Sequence, residues 1–526
     1  VAASALLLTA CGSGSDAADS VGSDAKTQAG QPKEGGTLTF AVGSDAGCVD
    51  PQQVGSNDTI YSLRQTVDSL TDQDPQTGKI VPWLAQSWKV SPDATTFTFT
   101  LRPGVTFSDG SALTAQVVKA NFDAVPNLGA LGVLAEGYLS GASTTAIDDS
   151  TVQVRFKQPN AQFLQATSTF SLGIESAASV ARTPQQKCSQ GVIASGPFVL
   201  SQYVQNQSIT LKKRTGYNWG SSRWTKTGEA YLDSVVFKVV PEAGVRSGSL
   251  QSGQVDAISS VGKADEAALK GAGVNLQTRA NPGVAFNLAL NNSRPILQDA
   301  KVRQAIQVAI DRKQIVDAVY PTGTQPATSV LSHTTPDYAD VGLTYDQAKA
   351  KSLLDQAGWV AGPDGIRQKN GAKLSLTVDW FANAATNQPA LELIQQQLKA
   401  VGIDVVLKQL QIAQIAQVQQ SGAFDGLWGN LTRADPDILR TQYSTHLANV
   451  YKLPVTPLDA VLTKQAATAD PAARVKLVEQ AQQLIVENAY VIPVVELETE
   501  LGVAKKVHQL DFEASSRIQL HDTWIG

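Results

Sequence analysis

Leu374-Ser375-Leu376-Thr377-Val378-Asp379-Trp380 alternates apolar and polar side chains. A period of two places Leu374, Leu376, Val378 and Trp380 on one face of a strand. A helix is predicted from about Pro389 to Ala400, Gly402 stops it, and Ile403 to Leu410 reads as a second strand. Strand, helix, strand is a βαβ unit, so this region is expected to hold a parallel or mixed sheet. The fold class is α/β.

Working outward, Asp299 to Tyr320 carries Val302, Ala305, Ile306, Ala309, Ile310, Val316 and Val319 at helical spacing, with one buried face. Thr344-Tyr345-Asp346-Gln347 fits a capping box in which Thr344 and Gln347 each satisfy an orphan amide. The helix it opens stops at Gly358. Phe424 to Gly429 reads as a strand, Asn430 to Ala434 as a loop, and Asp435-Pro436-Asp437 as a helix cap. Asp470-Pro471 places Asp at the N-cap and Pro at the first helical position of a long helix, with Val475, Val478, Ala481 and Ile485 along one stripe. Ile492-Pro493-Val494-Val495 reads as a strand, and its proline predicts an edge or a strand start. In the first half, residues 36–42, 97–101 and 151–156 alternate as half-buried strands. Asp109-Gly110 marks a turn, and Leu113-Thr114-Ala115 opens a helix.

The chain has 526 residues, enough for several domains, and a net charge of −5 with no long basic run. Nucleic acid and anionic membrane surfaces are poor partners for such a chain. Near its start, Leu8-Thr9-Ala10-Cys11-Gly12 follows the apolar run Ala5 to Leu8 and looks like a lipobox. Residues 1–10 are then a leader remnant whose true start lies upstream, and Cys11 becomes the lipidated first residue. Residues 11–35, rich in Gly, Ser, Ala and Asp, read as a flexible tether with an r.m.s. span of roughly 25–30 Å. After the leader no apolar stretch approaches the length of a membrane span. The expected location is extracytoplasmic, on the outer face of the cell membrane. Cys48 and Cys188 remain, and an even pair in an oxidising compartment suggests a disulfide, against the alternative of two buried thiols.

Enzyme signatures are absent: no His-Glu-x-x-His, no Gly-x-Ser-x-Gly and no phosphate-binding Gly-x-x-x-x-Gly-Lys. His333, His446, His508 and His521 are far apart and lack metal-ligand spacing. No catalytic residue, metal or cofactor is expected. The loop after Gly429 is the candidate site, because ligands in α/β domains sit beyond the carboxyl ends of strands. Trp428 would be either a flat wall or core. Arg433 would either fork onto a carboxylate or phosphate or face solvent. The backbone of Gly429 to Leu431 would pair with an extended ligand as an added strand. The candidate ligand-binding set is Trp428, Gly429, Leu431, Thr432 and Arg433, with Ala46 and Trp380.

The stretch Trp88-Lys89-Val90-Ser91-Pro92-Asp93, then Phe97 to Gly110 and Leu113-Thr114-Ala115, resembles the signature of family 5 bacterial solute-binding proteins. These are the dipeptide, oligopeptide and nickel receptors of ABC importers. The resemblance continues at Ser195-Gly196-Pro197-Phe198, Leu250 to Asp256, Val302 to Ile306, and Ala348-Lys349 to Trp359. It implies a pear-shaped molecule of two lobes. The first lobe would be 36–280 plus 495–526, with an extra subdomain at about 60–190. The second would be 281–494, with hinge crossings near Asn281 and Val494. A solute would lie in the cleft, and closure would present a surface to membrane permease subunits. The protein is expected to be a monomer. Family peptide receptors hold the ligand's amino group with an aspartate three residues before the Asp-Pro pair, where this chain has Thr432. That departure implies a ligand without a free ammonium, or one bearing an anion. Trp428-Gly429 resembles the pair near the chelate in nickel receptors, so a nickel–chelate or siderophore-like receptor is the alternative. A cell-surface enzyme and a signalling receptor are the remaining ones.

Overall fold

The computed structural model describes residues 31–381, 384, 386–410 and 414–526. Cys11 and most of the predicted tether lie outside the described residues.

The βαβ unit is the frame of the second lobe. Strands Ser375–Phe381 and Asp404–Leu410 run parallel in continuous register from Ser375↔Asp404 to Phe381↔Leu410, and helix Asn387–Lys399 makes the crossover. Leu374, Leu376, Val378 and Trp380 pack with Leu391, Ile394 and Leu398 in one core. The six-stranded sheet runs Gln325–Pro326, Val491–Glu496, Gly283–Leu290, Gly426–Thr432, Ser375–Phe381, Asp404–Leu410. A second core, including Ala289, Leu427, Leu439 and Ile485, covers the other face. Burial on both faces explains why Gly283–Leu290 is buried at every position.

Four local expectations are corrected. The Asp299–Tyr320 helix is two helices, Ala300–Ala309 and Arg312–Val319, because the Asp311 carboxylate caps a new start by accepting the Gln314 N–H at 3.0 Å. Thr344 is not the cap of the next helix. Asp346, two residues nearer, accepts the Lys349 N–H at 2.8 Å. The strand of Pro493 is not at the edge, since Gln325–Pro326 lies outside it. That outer strand pairs only with Val495 and Glu496, so the missing N–H of Pro493 faces no strand partner there. Finally, Asn430, Leu431 and Thr432 continue the strand Gly426–Thr432 rather than forming a loop.

The first lobe is built on a seven-stranded sheet in the order Asn275–Ala280, Glu498–Val503, Ala257–Ser259, Thr37–Val42, Ser234–Val239, Ser208–Lys213, Phe198–Val204. The C-terminal strand Glu498–Val503 inserts between two earlier ones, which makes the lobe discontinuous. A separate four-stranded sheet, Ala85–Val90, Thr96–Leu101, Thr151–Phe156, Ala142–Ala146, forms the extra subdomain. Phe163 anchors its core, its ring 5.1 Å from Phe97 and 4.8 Å from Phe156 in edge contacts. Cys48 and Cys188 are bonded, with Cα atoms 4.1 Å apart, and both belong to the first lobe.

The chain leaves the first sheet and enters the second at Asn281–Pro282, and it returns at Leu497. The two crossings are hydrogen-bonded to each other. The Asn281 N–H donates to the Leu497 carbonyl at 2.7 Å, and the Thr499 hydroxyl donates to Asn281 Oδ1 at 2.8 Å.

Candidate functional site

The site is built on strand Gly426–Thr432. One edge pairs antiparallel with Gly283–Leu290, Gly283↔Thr432 to Leu290↔Gly426, with a bulge between Val284 and Asn287. The other edge pairs with the βαβ strand only at Val378↔Gly426 and Asp379↔Leu427. From Trp428 onward that edge has no strand partner among the described residues. An unpaired row of backbone donors and acceptors is a template for an extended segment. Gly429 adds room, since a Cβ built on it meets nothing within 4 Å.

Trp428 does not wall this space. It is 2% exposed in the second-lobe core, its ring 4.7 Å from Phe286, and its Nε1–H donates to Asn387 Oδ1 at 3.2 Å. Period two explains this: Trp428 shares the face of the buried Leu288–Val378 core. Trp380 lies in the same core. The structure offers neither tryptophan as a contact surface. Leu431 is half-buried against the opposite core. Thr432 is half-buried beside Gly283. Ala46 is exposed in the first lobe, between strand Thr37–Val42 and Cys48, and its N–H donates to the Thr59 hydroxyl at 2.8 Å.

Pro282 and Gly283 support the end of the strand from below. Arg433 N–H donates to the Pro282 carbonyl at 3.1 Å. Gly283 has φ +112°, and a Cβ there would lie 2.5 Å from the Leu431 carbonyl oxygen and 2.6 Å from the Arg433 nitrogen. Only glycine permits this approach.

Arg433 does not face solvent. It is buried, and its guanidinium sits 4.9 Å from the ring centre of Tyr138, a residue of the first-lobe subdomain. Gly137 leaves space for it, since a Cβ there would be 3.2 Å from Arg433 Nη2. Its polar contact is a long bond from Nη1 to the Thr441 hydroxyl at 3.4 Å, and its Nε–H is buried with no partner. The following aspartates are occupied otherwise. Asp435 takes Arg474 bidentately, at 2.5 and 3.0 Å. Asp437 takes Arg440 at 2.8 and 2.6 Å, plus Gln465. The expected cap by the Asp437 side chain is thus absent, because two stronger charge-assisted bonds claim its carboxylate.

Two residues near this corner had no sequence signal. Arg517, in the C-terminal tail, is buried with its guanidinium 4.9 Å from the Phe170 ring centre and an unpartnered Nε–H. Tyr138 is buried; burial pushes its pKa up, while Arg433 and Arg517 pull it down. Burial likewise lowers the Arg517 pKa, opposed by Glu513, Tyr61 and Tyr138. Aromatic and cationic residues scattered over the chain carry no spacing to read.

Comparison with known proteins agrees with this architecture. The model of bacterial extracellular solute-binding proteins, family 5 (middle), matches residues 79–447. A glutathione-binding protein of Salmonella typhi is 28% identical over 483 residues, covering 87% of this chain and 88% of that one. The oligopeptide-binding protein AppA of Bacillus subtilis, solved with a nonapeptide, superposes with a TM-score of 0.77 at 22% identity, over 94% of this chain and all of that one. NikA of Brucella suis, solved with Fe(III)-EDTA, gives 0.81 at 24% identity, over 93% and 100%.

Proposed function

Because the chain belongs to the family 5 bacterial extracellular solute-binding proteins, we propose that it is the receptor of an ABC importer for a peptide or peptide-like solute. It works outside the cytoplasm, as its family does. The solute lies between the lobes, its backbone paired with the open edge of Gly429–Leu431, and Arg433 takes a carboxylate or other anion. The single observation that carries the reading is this open edge ending in a buried arginine without a carboxylate partner. Relatives that bind glutathione, and a fold neighbour holding a nonapeptide, support the peptide class. Thr432 supports an anionic rather than an ammonium anchor. A carboxylate-rich metal chelate is the second reading. Among the described residues no cluster of His, Cys, Asp or Glu is fit to hold a bare ion, so a metal would enter inside its chelator.

Calorimetry with glutathione, free peptides, N-acetylated peptides and metal chelates tests this. Acetylation is expected to cost little. Arg433→Gln is expected to weaken an anionic solute by about 1.5–3 kcal/mol. Free peptides that bind tightly, lose binding on acetylation and ignore Arg433→Gln would overturn the reading.

The receptor is proposed to act as a monomer, tethered by lipidated Cys11 beside its permease subunits. No described helix is long and apolar enough to cross a membrane. Cys11→Ala is expected to move the protein from the membrane fraction to the medium. A variant that stays membrane-bound contradicts the tether.

A further inference from the structure

Charge around Arg433 is arranged unequally. The neighbouring carboxylates Asp435, Asp437 and Glu513 are each taken by another arginine: Arg474, Arg440 and Arg64. Arg433 and Arg517 form no ion pair among the described residues. Both are more than nine-tenths buried, 7% and 8% exposed, and both keep an unpartnered Nε–H. Each guanidinium lies against an aromatic ring, and each has one long neutral bond, from Arg433 Nη1 to the Thr441 hydroxyl and from Arg517 Nη1 to the Ser515 carbonyl, both at 3.4 Å.

The two come from opposite lobes and lie on adjoining platforms. Tyr138, under Arg433, belongs to helix Val133–Leu139, which packs on the turn Phe170–Leu172 that carries the ring under Arg517. The charges of both arginines reach the Tyr138 hydroxyl. A buried carboxylate without a partner discharges by taking up a proton, but a guanidinium cannot lose its own. Two buried guanidinia with no ion pair and an unpartnered Nε–H each are suited to negative charge from outside the chain.

We propose that Arg433 and Arg517 are the two jaws of an anion clamp, one from each lobe, for a solute that carries a dianionic group or two carboxylates. The clamp rests on the reading of residues 428–433 as the solute site and adds the first-lobe jaw and the charge of the cargo. The Tyr138 hydroxyl, within the field of both guanidinia, is a further donor. A single carboxylate satisfies one guanidinium and leaves the other buried and bare. A dianion satisfies both, and only when both lobes are in place.

The test uses the full-length protein and two measurements. Thermal unfolding is followed in chloride, phosphate, succinate and glutathione at equal ionic strength. Phosphate or succinate is expected to raise the wild-type midpoint by several degrees over chloride, and Arg433→Gln and Arg517→Gln are each expected to remove that increment. Calorimetry then compares glutathione with its diethyl ester. Arg517→Gln is expected to lose at least tenfold in affinity for the acid and little for the ester. Arg517→Lys keeps the charge without the fork and is expected to fall between. It also decides the matter should Arg517→Gln fail to fold: full wild-type anion response in Arg517→Lys overturns the forked clamp. If wild type gains nothing from any of the three other anions over chloride, the clamp is wrong. If Arg433→Gln loses the response and Arg517→Gln keeps it, the clamp falls while the solute site after Trp428 stands. If both variants keep it, site and clamp fall together.

Discussion

Arg433 and Asp435 are two residues apart on one turn and live under opposite electrical conditions. Asp435 is buried with a bidentate arginine, and Asp437 beside it has another arginine and a glutamine amide. Arg433 is buried to a similar degree with a phenol ring and one long bond. The aspartate corner is finished and belongs to the fold. The arginine corner is unfinished, and the proposed clamp has it completed from solution. A buried charge with all its partners is a part of the scaffold; one without them is an appetite for a ligand.

The largest effect should come from undoing the finished corner. Arg474→Met leaves Asp435 buried beside an apolar side chain, and the expected cost is about 3–5 kcal/mol in urea unfolding. Arg433→Gln, by contrast, should leave ligand-free stability within about 1 kcal/mol. Equal losses in the two variants would erase the distinction between the corners.

A smaller effect sharpens the contrast by reversing the sign of the charge. On the returning hinge strand, Glu498 and Glu500 each keep a buried, unpartnered carboxylate oxygen. Burial pushes the Glu500 pKa from 4.5 up to about 7, with Glu266 and Glu498 adding to the shift and Lys270 opposing it. These acids need no partner from solution, because a proton serves. The folded value lies above the unfolded one, so the folded state keeps a proton that the unfolded state has released. Stability from this group is therefore intact below about pH 4.5 and declines as pH rises through about 7. Glu500→Gln should gain about 1–2 kcal/mol over wild type in urea unfolding at about pH 8, and little at about pH 4.5. An equal change at both pH values would show that Glu500 stays charged in the fold.

Much of the frame was legible because it rests on periodicity. Leu374 to Trp380 alternates, and the βαβ unit follows directly. Asp470-Pro471 begins a helix as its chemistry requires. Breaks were harder to see. Asp311 sits at a position where a helix of one apolar stripe would simply face solvent, and nothing local says that it caps. Gly429-Asn430 looks like a turn, yet the strand runs on, opposite a bulge in its neighbour. For Trp428, hydrophobicity could not choose between core and pocket, because a wide aromatic suits both; its place is decided by which face of the sheet it shares with Leu288. Arg517 and Tyr138 were beyond reach for a different reason. Tyr138 meets Arg433, and Arg517 meets the neighbouring Phe170, only through the way the chain is folded back on itself, and no residue spacing records that.

Gly283 sets a rule for anyone redesigning the cargo of this receptor. Its hydrogen in place of a side chain lets the crossing segment press against the Leu431 carbonyl and the Arg433 nitrogen. A library that varies Gly429 to Arg433 can sample new chemistries while that support is kept. One that also varies residue 283 would lift the strand end it is trying to reshape, and most of its members would be discarded for a reason unrelated to recognition.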